Sequence, residues 1–271
     1  MTKQNILKGG LREKNIFKKN IIDQPLISVI SPVLNNDKYI QECLNSLHNQ
    51  AYLNYEHIII DGGSNDKTLD IIKKNEKKID FWVSEKDQGI YDAFNKGMNF
   101  AKGSIIGFLN SDDCYYSNQT LNYVVKAFEE NKNIDFIFGP VKKHWGLLYG
   151  YKPWKIHFSW GFYSSHSTGF FIKLDSAKKV GLYNLKYKYS SDYDYFFRMI
   201  VKEKLKGIGT DKKKIFGVFR RGGFSSKIRF IDHFKEEIQI RLDNKQNKFL
   251  VFMIIVYKSI RHIKKIIKDF K

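Results

Sequence analysis

Two adjacent carboxylates, Asp112 and Asp113, follow an apolar run in the segment GFLNSDDCYY. Charge at the end of a buried strand indicates a ligand site, because open α/β sheets bind ligands at the carboxyl ends of their strands. Successive residues of an extended chain point to opposite sides, so we expect one carboxylate to bind a metal ion and the other a hydroxyl group. A single carboxylate with room for phosphate oxygens suits Mg²⁺ or Mn²⁺, and the chain offers no cage of Cys and His ligands. The alternative is a turn in which an Asp caps the next helix.

The segment DGGSND, residues 61–66, follows the second apolar run. Its glycines let the backbone approach a ligand closely, and Asp61 offers an acceptor to a base or a ribose. Such clusters also end many strands without binding a ligand. Neither GxxxxGK followed by Ser or Thr nor GxGxxG occurs, so the phosphate-loop and dinucleotide-binding classes lack their fingerprints.

The segment SEKDQGIYDAFNKG places Asp87, Gln88 and Gly89 between a third run and a predicted helix. We expect these residues to line the same sheet edge. Capping of the helix by Asp87 is the alternative interpretation.

A general base is predicted in YSSDYDYFFRM, where Asp192 and Asp194 lie at the start of a helix with an aromatic face. A carboxylate held there can be aimed at a hydroxyl, and its surroundings can tune its pKa. Asp192 as a simple cap is the alternative. His166, in SSHSTGFF, is a second candidate base, although a lone His near a strand is more often structural.

The elements that must position these residues are visible from Leu26 to about Gly139, where short β-branched runs alternate with segments of helical period. The runs are ISVIS (27–31), HIII (57–60), FWVS (81–84), SIIGFL (104–109) and DFIFG (135–139). This alternation is typical of a βαβ sheet, so we predict an α/β fold with a mixed, mostly parallel sheet flanked by helices.

Two of the predicted helices carry an apolar stripe with i, i+3, i+4, i+7 spacing. The stripes are Ile40, Cys43, Leu44 and Leu47, and Leu121, Val124, Val125 and Phe128. Asn36 or Asp37 stands where the N-cap of the first helix belongs.

We divide the chain into a basic N-terminal segment (1–25), a main domain (26–226) and a helical C-terminal segment (227–271). One stripe in the last segment consists of Val256, Ile260, Ile263, Ile267 and Phe270, and the basic residues around it are Lys258, Arg261, Lys264, Lys265, Lys268 and Lys271. This pattern predicts an amphipathic helix at an anionic membrane surface. A helix docked on the domain with a solvated basic face is the alternative.

Composition restricts the possible partners and the compartment. The 271 residues carry a net charge of +19, which indicates an anionic partner. Two cysteines and no apolar N-terminal run favour a reducing, cytoplasmic location. The longest apolar stretch is nine residues, too short for a membrane span. Nucleic acid is a weaker alternative partner, because the basic residues are scattered and no recognition motif occurs.

Six segments, in this order, resemble blocks of the family 2 glycosyltransferases with the GT-A fold, especially the bacterial branch that builds surface polysaccharides. The segments are ISVISPVLN, IIIDGGSNDKTLDII, SEKDQGIYDAFNKG, GFLNSDD, STGFFIK and SDYDYFFR, and the resemblance covers roughly residues 26–225.

The resemblance implies specific roles at the matching positions. Asp113 matches the metal-binding end of the family's DxD motif, Asp112 lies on its ribose side, and Asn110 stands where many members have the first Asp. Asp61 matches the acidic residue beside the nucleoside. Gly62 stands where many relatives have a second Asp that reads the base.

The resemblance also implies that Asp192 is the catalytic base, with Ser191 in place of the usual preceding Glu. The nucleotide-sugar contacts that it implies are Pro32, Asn35, Asp61, Gly63, Asp87, Gln88, Gly89, Asn95, Asn110, Asp112 and Arg221. His166 and Asp194 are expected to contact acceptor or donor.

The implied activity is metal-dependent, inverting transfer of a hexosyl or N-acetylhexosaminyl group, with Mn²⁺ or Mg²⁺ as cofactor. The expected partners are a nucleotide-sugar donor, UDP-linked by family habit, and a saccharide or polyprenyl-diphosphate-linked acceptor. We expect a cytoplasmic protein, peripheral at the inner face of the cell membrane, that binds no nucleic acid. The alternatives are a non-catalytic nucleotide-sugar binder and a nucleic-acid-binding protein.

Overall fold

The computed structural model describes residues 6–158, 167–220, 222 and 228–269. Their main feature is an eight-stranded sheet in the order β1-β4-β3-β2-β5-β10-β7-β11, beside a four-stranded sheet in the order β6-β12-β8-β9. The strands are β1 Leu7–Gly9, β2 Ile27–Val33, β3 Tyr55–Asp61, β4 Phe81–Ser84, β5 Ile105–Phe108, β6 Cys114–Tyr115, β7 Phe136–Phe138, β8 Val141–Lys143, β9 Gly146–Leu148, β10 Phe170–Lys173, β11 Gly207–Gly209 and β12 Gly217–Val218.

The large sheet is mostly parallel, as predicted. Strands β4, β3, β2 and β5 are parallel neighbours, and β7 is parallel to β11. Strand β10 runs antiparallel between β5 and β7, and β1 runs antiparallel to β4. Each of the five predicted runs contains a strand of this sheet, so the predicted α/β fold is confirmed.

Both faces of the sheet are covered, which explains why its strands are almost wholly apolar. All residues of β2 and β3 are buried. Successive residues of β2 belong to different hydrophobic clusters: Ile30 packs with Phe94 of the third helix, and Val29 packs with Val124 of the fourth.

The helices are α1 Ile40–His48, α2 Thr68–Lys74, α3 Ile90–Phe100, α4 Thr120–Glu130, α5 Leu174–Val180, α6 Ser191–Phe197, α7 Phe230–Asp243, α8 Lys248–Arg261 and α9 Ile263–Asp269. The two predicted apolar stripes are the buried residues of α1 and α4. The predicted N-cap of α1 is wrong, because Tyr39 occupies that position. Asn36 instead forms the preceding turn, where its carbonyl accepts from the amides of Tyr39 and Ile40.

Residues 7–24, predicted to precede the main domain, pack against the large sheet. Strand β1 extends it beside β4. The Arg12 guanidinium lies 2.6 Å from the buried carboxylate of Glu56, and the Lys18 ammonium lies 3.2 Å from that of Asp80. Both carboxylates are almost inaccessible to solvent, so this segment supplies their counter-charges.

Helix α8 packs on α7 through a buried ionic cluster of Glu237, Arg241 and Lys258. Lys258 Nζ lies 2.5 Å from Glu237 Oε2, and Arg241 Nη2 lies 2.7 Å from Glu237 Oε1. The prediction that Lys258 lies on an exposed basic face is therefore wrong, since its ammonium neutralises a carboxylate that would be costly to bury alone.

The predicted apolar stripe of the last helices is exposed rather than docked, as far as the structure describes it. The exposed fraction is 72% for Ile260, 50% for Ile263 and 51% for Ile267. Val251 and Ile254 form the buried face of α8 instead. The predicted single helix is broken at His262, and Phe270 lies outside the described residues. In the described part of the chain, every helix is too short or too polar to cross a bilayer.

Candidate active site

The predicted ligand-binding loops meet at one edge of the large sheet. Strands β2, β3, β4 and β5 are parallel, so the loops that follow them, at 34–39, 62–67, 85–89 and 109–113, emerge at their common carboxyl edge. Strand β10 is antiparallel to β5, so the residues before it, Ser167–Gly169, reach the same edge.

Asp61 is completely buried at the end of β3 and organises its loop. Its Oδ1 accepts a 2.5 Å hydrogen bond from the Ser64 hydroxyl, and its Oδ2 accepts one of 2.5 Å from the Ser84 hydroxyl. The Ser64 amide adds a third bond of 3.1 Å to Oδ2. This carboxylate therefore fixes the DGGSND turn against β4.

Asn35 joins this turn to the loop after β2. Its amide donates to the Ser64 hydroxyl at 2.8 Å, and its Oδ1 accepts from the Asn65 amide at 2.8 Å. Asn35 and Gly63 both have positive φ angles, 48° and 84°, so the two loops turn sharply where they meet. Pro32 is buried in β2, opposite Ile60.

The carboxylate of Asp87 lies over Gly62. A Cβ atom at position 62 would approach Asp87 Oδ2 to 2.5 Å, so the glycine leaves the room that this side chain occupies. Asp87 Oδ1 accepts from the Gly89 amide at 2.9 Å. Burial raises the pKa of Asp87, and the Gly89 hydrogen bond partly offsets that increase. Gln88 is exposed, and Gly89 has a φ of 111° with open space around it.

The carboxylate of Asp113 is fully buried beneath the loop after β5. Its Oδ2 accepts from the Thr168 hydroxyl at 2.6 Å, and its Oδ1 accepts from the Arg220 amide at 3.2 Å. The Arg220 guanidinium donates to the Asp112 carbonyl at 3.3 Å, stacks 4.2 Å from the Tyr39 ring and pairs with Glu42. Three distant segments thus clamp the Asp112–Asp113 turn.

Asn110 offers an oxygen at the same turn. Its amide nitrogen donates to Ser167 Oγ at 3.1 Å and lies 3.5 Å from Asp113 Oδ2. Its side-chain oxygen, Oδ1, is buried and accepts no hydrogen bond from the described residues. An amide oxygen without a hydrogen bond, next to a carboxylate, offers two oxygen ligands of the kind that Mg²⁺ or Mn²⁺ binds. The described residues contain no cluster of three or more His, Cys, Asp or Glu side chains, so the pair fits an ion held jointly with a nucleotide, not a protein-only cage.

Asp192 lies in the first turn of α6 and faces α3. Its Oδ1 accepts from the Tyr91 hydroxyl at 3.2 Å and from the Tyr193 amide at 2.9 Å. The Tyr91 hydroxyl also lies 3.1 Å from the Tyr189 carbonyl. Because α3 starts at the carboxyl edge of β4, Tyr91 ties Asp192 to the edge that carries the loops.

Helix α7 holds the segment that leads to Asp192. The carboxylate of Glu236 accepts from three successive amides, those of Lys188, Tyr189 and Ser190, at 2.7, 2.8 and 2.9 Å. The ring Nδ1 of His233 lies 3.1 Å from Ser190 Oγ. Burial lowers the pKa of His233, and the charge of Asp192 opposes that shift.

Two predicted contact residues have structural partners instead of lying among the loops. Both polar atoms of the Asn95 amide bond the backbone of Tyr183, at 2.8 and 2.9 Å. Asp194 is buried against Arg198 and Asn244, with bonds of 2.9 and 2.8 Å. Their predicted contacts with ligand remain predictions. His166 and Arg221 lie outside the described residues.

Several residues of the site were not predicted from the sequence. Some of them lie within the motifs described above, and others lie far from any motif. Tyr91 and Thr168 lie within segments already singled out by pattern, GIYDAFNKG and STGFF. Glu236 and His233 lie on a helix more than 40 residues from Asp192, and no local pattern links the two.

The loops at this edge come from the segments that resemble blocks of the family 2 glycosyltransferases. The family model described as glycosyl transferase family 2 matches residues 28–208. The chain belongs to glycosyl transferase family 2, as the sequence motifs predicted.

Relatives and solved structures agree with this assignment. A "PGL/p-HBAD biosynthesis glycosyltransferase" of Mycobacterium bovis is 30% identical over 182 residues, which cover 64% of this chain and 69% of that protein. S. aureus TarS 1-349 in complex with UDP-GlcNAc superposes with a TM-score of 0.63 at 19% identity, over 88% of this chain and 72% of that chain. This chain covers 43% of a longer TarS chain.

The mannosyltransferase PcManGT from Pyrobaculum calidifontis, in complex with GDP-Man and Mn²⁺, superposes with a TM-score of 0.63 at 15% identity. The match covers 86% of this chain and 67% of that chain. At these identities the structural likeness establishes the fold alone.

Proposed function

We propose that this protein is an inverting transferase that moves a hexosyl or N-acetylhexosaminyl group from a nucleotide sugar to a hydroxyl of a saccharide or polyprenyl-diphosphate-linked saccharide in cell-surface polysaccharide synthesis. The observation that carries the proposal is the Asp192 carboxylate, which Tyr91 and the Tyr193 amide hold at the same edge as the four loops. A fixed carboxylate beside a ligand-binding loop cluster is the arrangement that a single displacement requires.

The donor proposal is a UDP-linked sugar. The TarS structure in complex with UDP-GlcNAc supports it, and the GDP-Man complex of PcManGT makes GDP the alternative nucleotide. The name of the mycobacterial relative, a "PGL/p-HBAD biosynthesis glycosyltransferase", supports a role in biosynthesis.

In the proposed reaction the acceptor oxygen forms a bond to the anomeric carbon, on the face opposite the departing diphosphate. The bond between that carbon and the diphosphate oxygen breaks, and the oxygen keeps the electron pair. Asp192 takes the acceptor proton. One displacement inverts the centre, and the transition state has oxocarbenium character.

Asp113 and the Asn110 oxygen would hold the divalent ion that the resemblance implies. When bound, such an ion neutralises charge on the diphosphate. Thr168 and the Arg220 amide hold the Asp113 carboxylate in place. We assign the nucleoside to the loops at Asp61 and Asp87, as the family resemblance implies.

The exposed stripe on α8 and α9 supports a position at an anionic membrane surface, where a lipid-linked acceptor would be found. Ile260, Ile263 and Ile267 are at least half exposed, and Arg261, Lys264, Lys265 and Lys268 flank them. Apolar side chains with a basic border bind the boundary between headgroups and acyl chains of anionic lipids.

The experiment that tests the transferase proposal is nucleotide release from a panel of UDP, GDP and dTDP sugars, with Mn²⁺, with Mg²⁺ and with a chelator. We expect slow hydrolysis of one donor by the wild type and its loss in Asp113→Ala. With an acceptor present, Asp192→Asn should lower transfer by about 10² to 10⁴-fold and leave nucleotide affinity largely intact, because the base acts only in the displacement.

Two outcomes would contradict the proposal. Unchanged turnover in Asp192→Asn would exclude this carboxylate as the base. Nucleotide binding without hydrolysis or transfer for any donor and acceptor would favour the non-catalytic nucleotide-sugar binder. The matched control is Asp175→Asn, which alters an exposed aspartate near the start of α5, outside the loop cluster.

A further inference from the structure

Lys143 is connected to the Asp112–Asp113 turn through strand β12, although the two lie far apart in sequence. It is the last residue of β8, in the small sheet that begins with β6 directly after Asp113. Strand β12 lies between β6 and β8, pairing with each. The two residues after β12 connect the sites: the Phe219 amide donates to the Lys142 carbonyl at 2.9 Å, and the Arg220 amide donates to Asp113 Oδ1 at 3.2 Å.

The ammonium of Lys143 is held over an aromatic ring. Its Nζ lies 4.6 Å from the centroid of the Phe219 ring, and Phe219 directly precedes Arg220 in the chain. Phe219 thus positions the charge, while the neighbouring Arg220 amide positions Asp113. Two consecutive residues therefore contact the two charges: Phe219 contacts the ammonium, and the Arg220 amide contacts the carboxylate.

The half-buried ammonium lacks a carboxylate within 4.0 Å among the described residues. Two other lysines of limited exposure are paired with carboxylates: Lys96 lies 2.8 Å from Glu85, and Lys258 lies 2.5 Å from Glu237. Burial lowers the pKa of Lys143, and the charge of Asp113 acts against that shift. A desolvated cation without an ion pair gains stability from any anion that enters its surroundings.

The other cation near this turn, the Arg220 guanidinium, already has partners within the protein. The Arg220 guanidinium pairs with Glu42 and stacks on Tyr39, so forming a bond to a ligand would require it to leave these partners. The Lys143 ammonium contacts the face of the Phe219 ring. It can keep this contact while it donates a hydrogen bond to a phosphate oxygen.

We propose that Lys143 binds the diphosphate of the donor and stabilises the negative charge that grows on it as the sugar leaves. This inference rests on the proposed function. In the displacement described above, the ammonium donates hydrogen bonds to diphosphate oxygens and keeps its protons, while the acceptor proton goes to Asp192. The charge on the leaving oxygens increases in the transition state, so the bonds from Lys143 strengthen there.

The test is a calorimetric titration of a nucleoside diphosphate and of its nucleoside, with the base chosen as the one the wild type binds, in wild type and Lys143→Gln. We expect affinity for the diphosphate to fall by about tenfold and affinity for the nucleoside to stay within about twofold. The kcat for transfer should fall as well, and Lys143→Arg should recover part of both losses.

The matched control is Lys142→Gln. It removes the same charge from the adjacent residue of β8, which is exposed and lies near Tyr116. We expect it to change diphosphate affinity by less than about twofold, because a solvated surface charge contributes little. Lys143→Met, which keeps the aliphatic stem over Phe219, replaces Lys143→Gln if thermal unfolding shows that the glutamine variant is not folded.

The outcomes separate this inference from the function on which it rests. Unchanged diphosphate affinity and unchanged kcat in Lys143→Gln would overturn the role of Lys143 and leave the transferase proposal standing. An equal loss of nucleoside and diphosphate affinity would also overturn it, since the variant would then have disturbed the whole site. A wild type that binds no nucleoside diphosphate would overturn both.

Discussion

Gly62 and Asp87 share one small volume at the nucleoside end of the sheet edge. A Cβ atom on residue 62 would lie 2.5 Å from Asp87 Oδ2, so a carboxylate from the loop after β4 fills space that a side chain after β3 would otherwise fill. By the family resemblance, many relatives carry an Asp at position 62. This chain thus presents a carboxylate to the same region from the neighbouring loop.

Exchanging the two residues tests this interpretation. Gly62→Asp alone should weaken nucleotide binding by about tenfold, because two carboxylates would compete for one site and repel each other. Asp87→Gly alone should also weaken it. The double variant should recover much of the loss, giving a favourable coupling of about 1 kcal/mol in a double-mutant cycle of calorimetric affinities.

Additive losses in that cycle would show that the carboxylates do not substitute for each other. Gly63→Ala is unsuitable as a control, because Gly63 has a φ of 84° and a side chain there would add backbone strain. Lys178→Gln, which alters an exposed lysine of α5 outside the loop cluster, is suitable.

At the residue scale the sequence predicts charged anchors better than their partners. Asp61 and Asp113 were identifiable because each follows an apolar run, and Asp192 because it opens an aromatic helix. The residues that bond them, such as Thr168 at a separation of 55 positions, depend on strand order. Strand order depends on how the whole chain packs, so local sequence periodicity does not predict it.

Helix α7 is the element that sets the position of the proposed base. The carboxylate of Glu236 accepts hydrogen bonds from the three amides of residues 188–190. These residues directly precede α6, and amides at the start of a helix have no partner within the helix. The position of Asp192 relative to the loops therefore depends on a helix that comes about 40 residues later in the chain.

We expect Glu236→Gln to lower kcat by about tenfold and to leave the donor KM unchanged, because misplacing a base by a fraction of an ångström affects the displacement and not nucleotide binding. Steady-state kinetics with varied donor would measure both. Glu203→Gln, at an exposed glutamate, is the control.

An equal rise in donor KM, or a kcat equal to that of wild type, would contradict the positioning role of Glu236. A lowered unfolding temperature would not by itself explain a selective change in kcat, so thermal unfolding should be measured on the same samples.

At the element scale, the periodic segments were predictable and their junctions were not. The stripes of α1 and α4 were found because 3.6-residue periodicity marks a buried face. The start of α1 was misplaced because Asn36 uses its carbonyl in a turn and its amide to reach Ser111. Lys258 was predicted to be exposed because the sequence around it looks like that of the exposed lysines, and its partner Glu237 lies on another helix.

On the whole molecule, the largest exposed apolar side chains include those of α8 and α9. Phe249 is 73% exposed and Ile260 is 72% exposed, on helices whose opposite face is fixed to α7. Exposed apolar side chains on a well-packed helix pair indicate an interaction surface and not a poorly formed core. Removing residues 249–271 would leave Glu237 without Lys258, so substitution on the exposed face is the better test.

Ile260→Gln combined with Ile263→Gln should lower binding to phosphatidylglycerol vesicles by roughly tenfold or more, because apolar insertion contributes to the affinity along with charge. Co-sedimentation at fixed salt would measure it. Leu53→Gln, which alters a 78% exposed leucine just before β3, should have no effect. Unchanged vesicle binding in the double variant would show that the stripe is not inserted into the bilayer.

Two neighbouring glutamates on α7 face different parts of the molecule. Glu236 bonds the segment before the proposed base, and Glu237 bonds Lys258 of α8. Asp269 of α9 accepts from the Ile231 amide of α7 at 2.9 Å. Helix α7 therefore connects the exposed stripe to the segment before the proposed base. An enzyme bound to a lipid surface through this stripe would hold its base close to that surface, and its turnover would follow the density of acceptor within the plane of the surface and not the amount of acceptor per volume of solution.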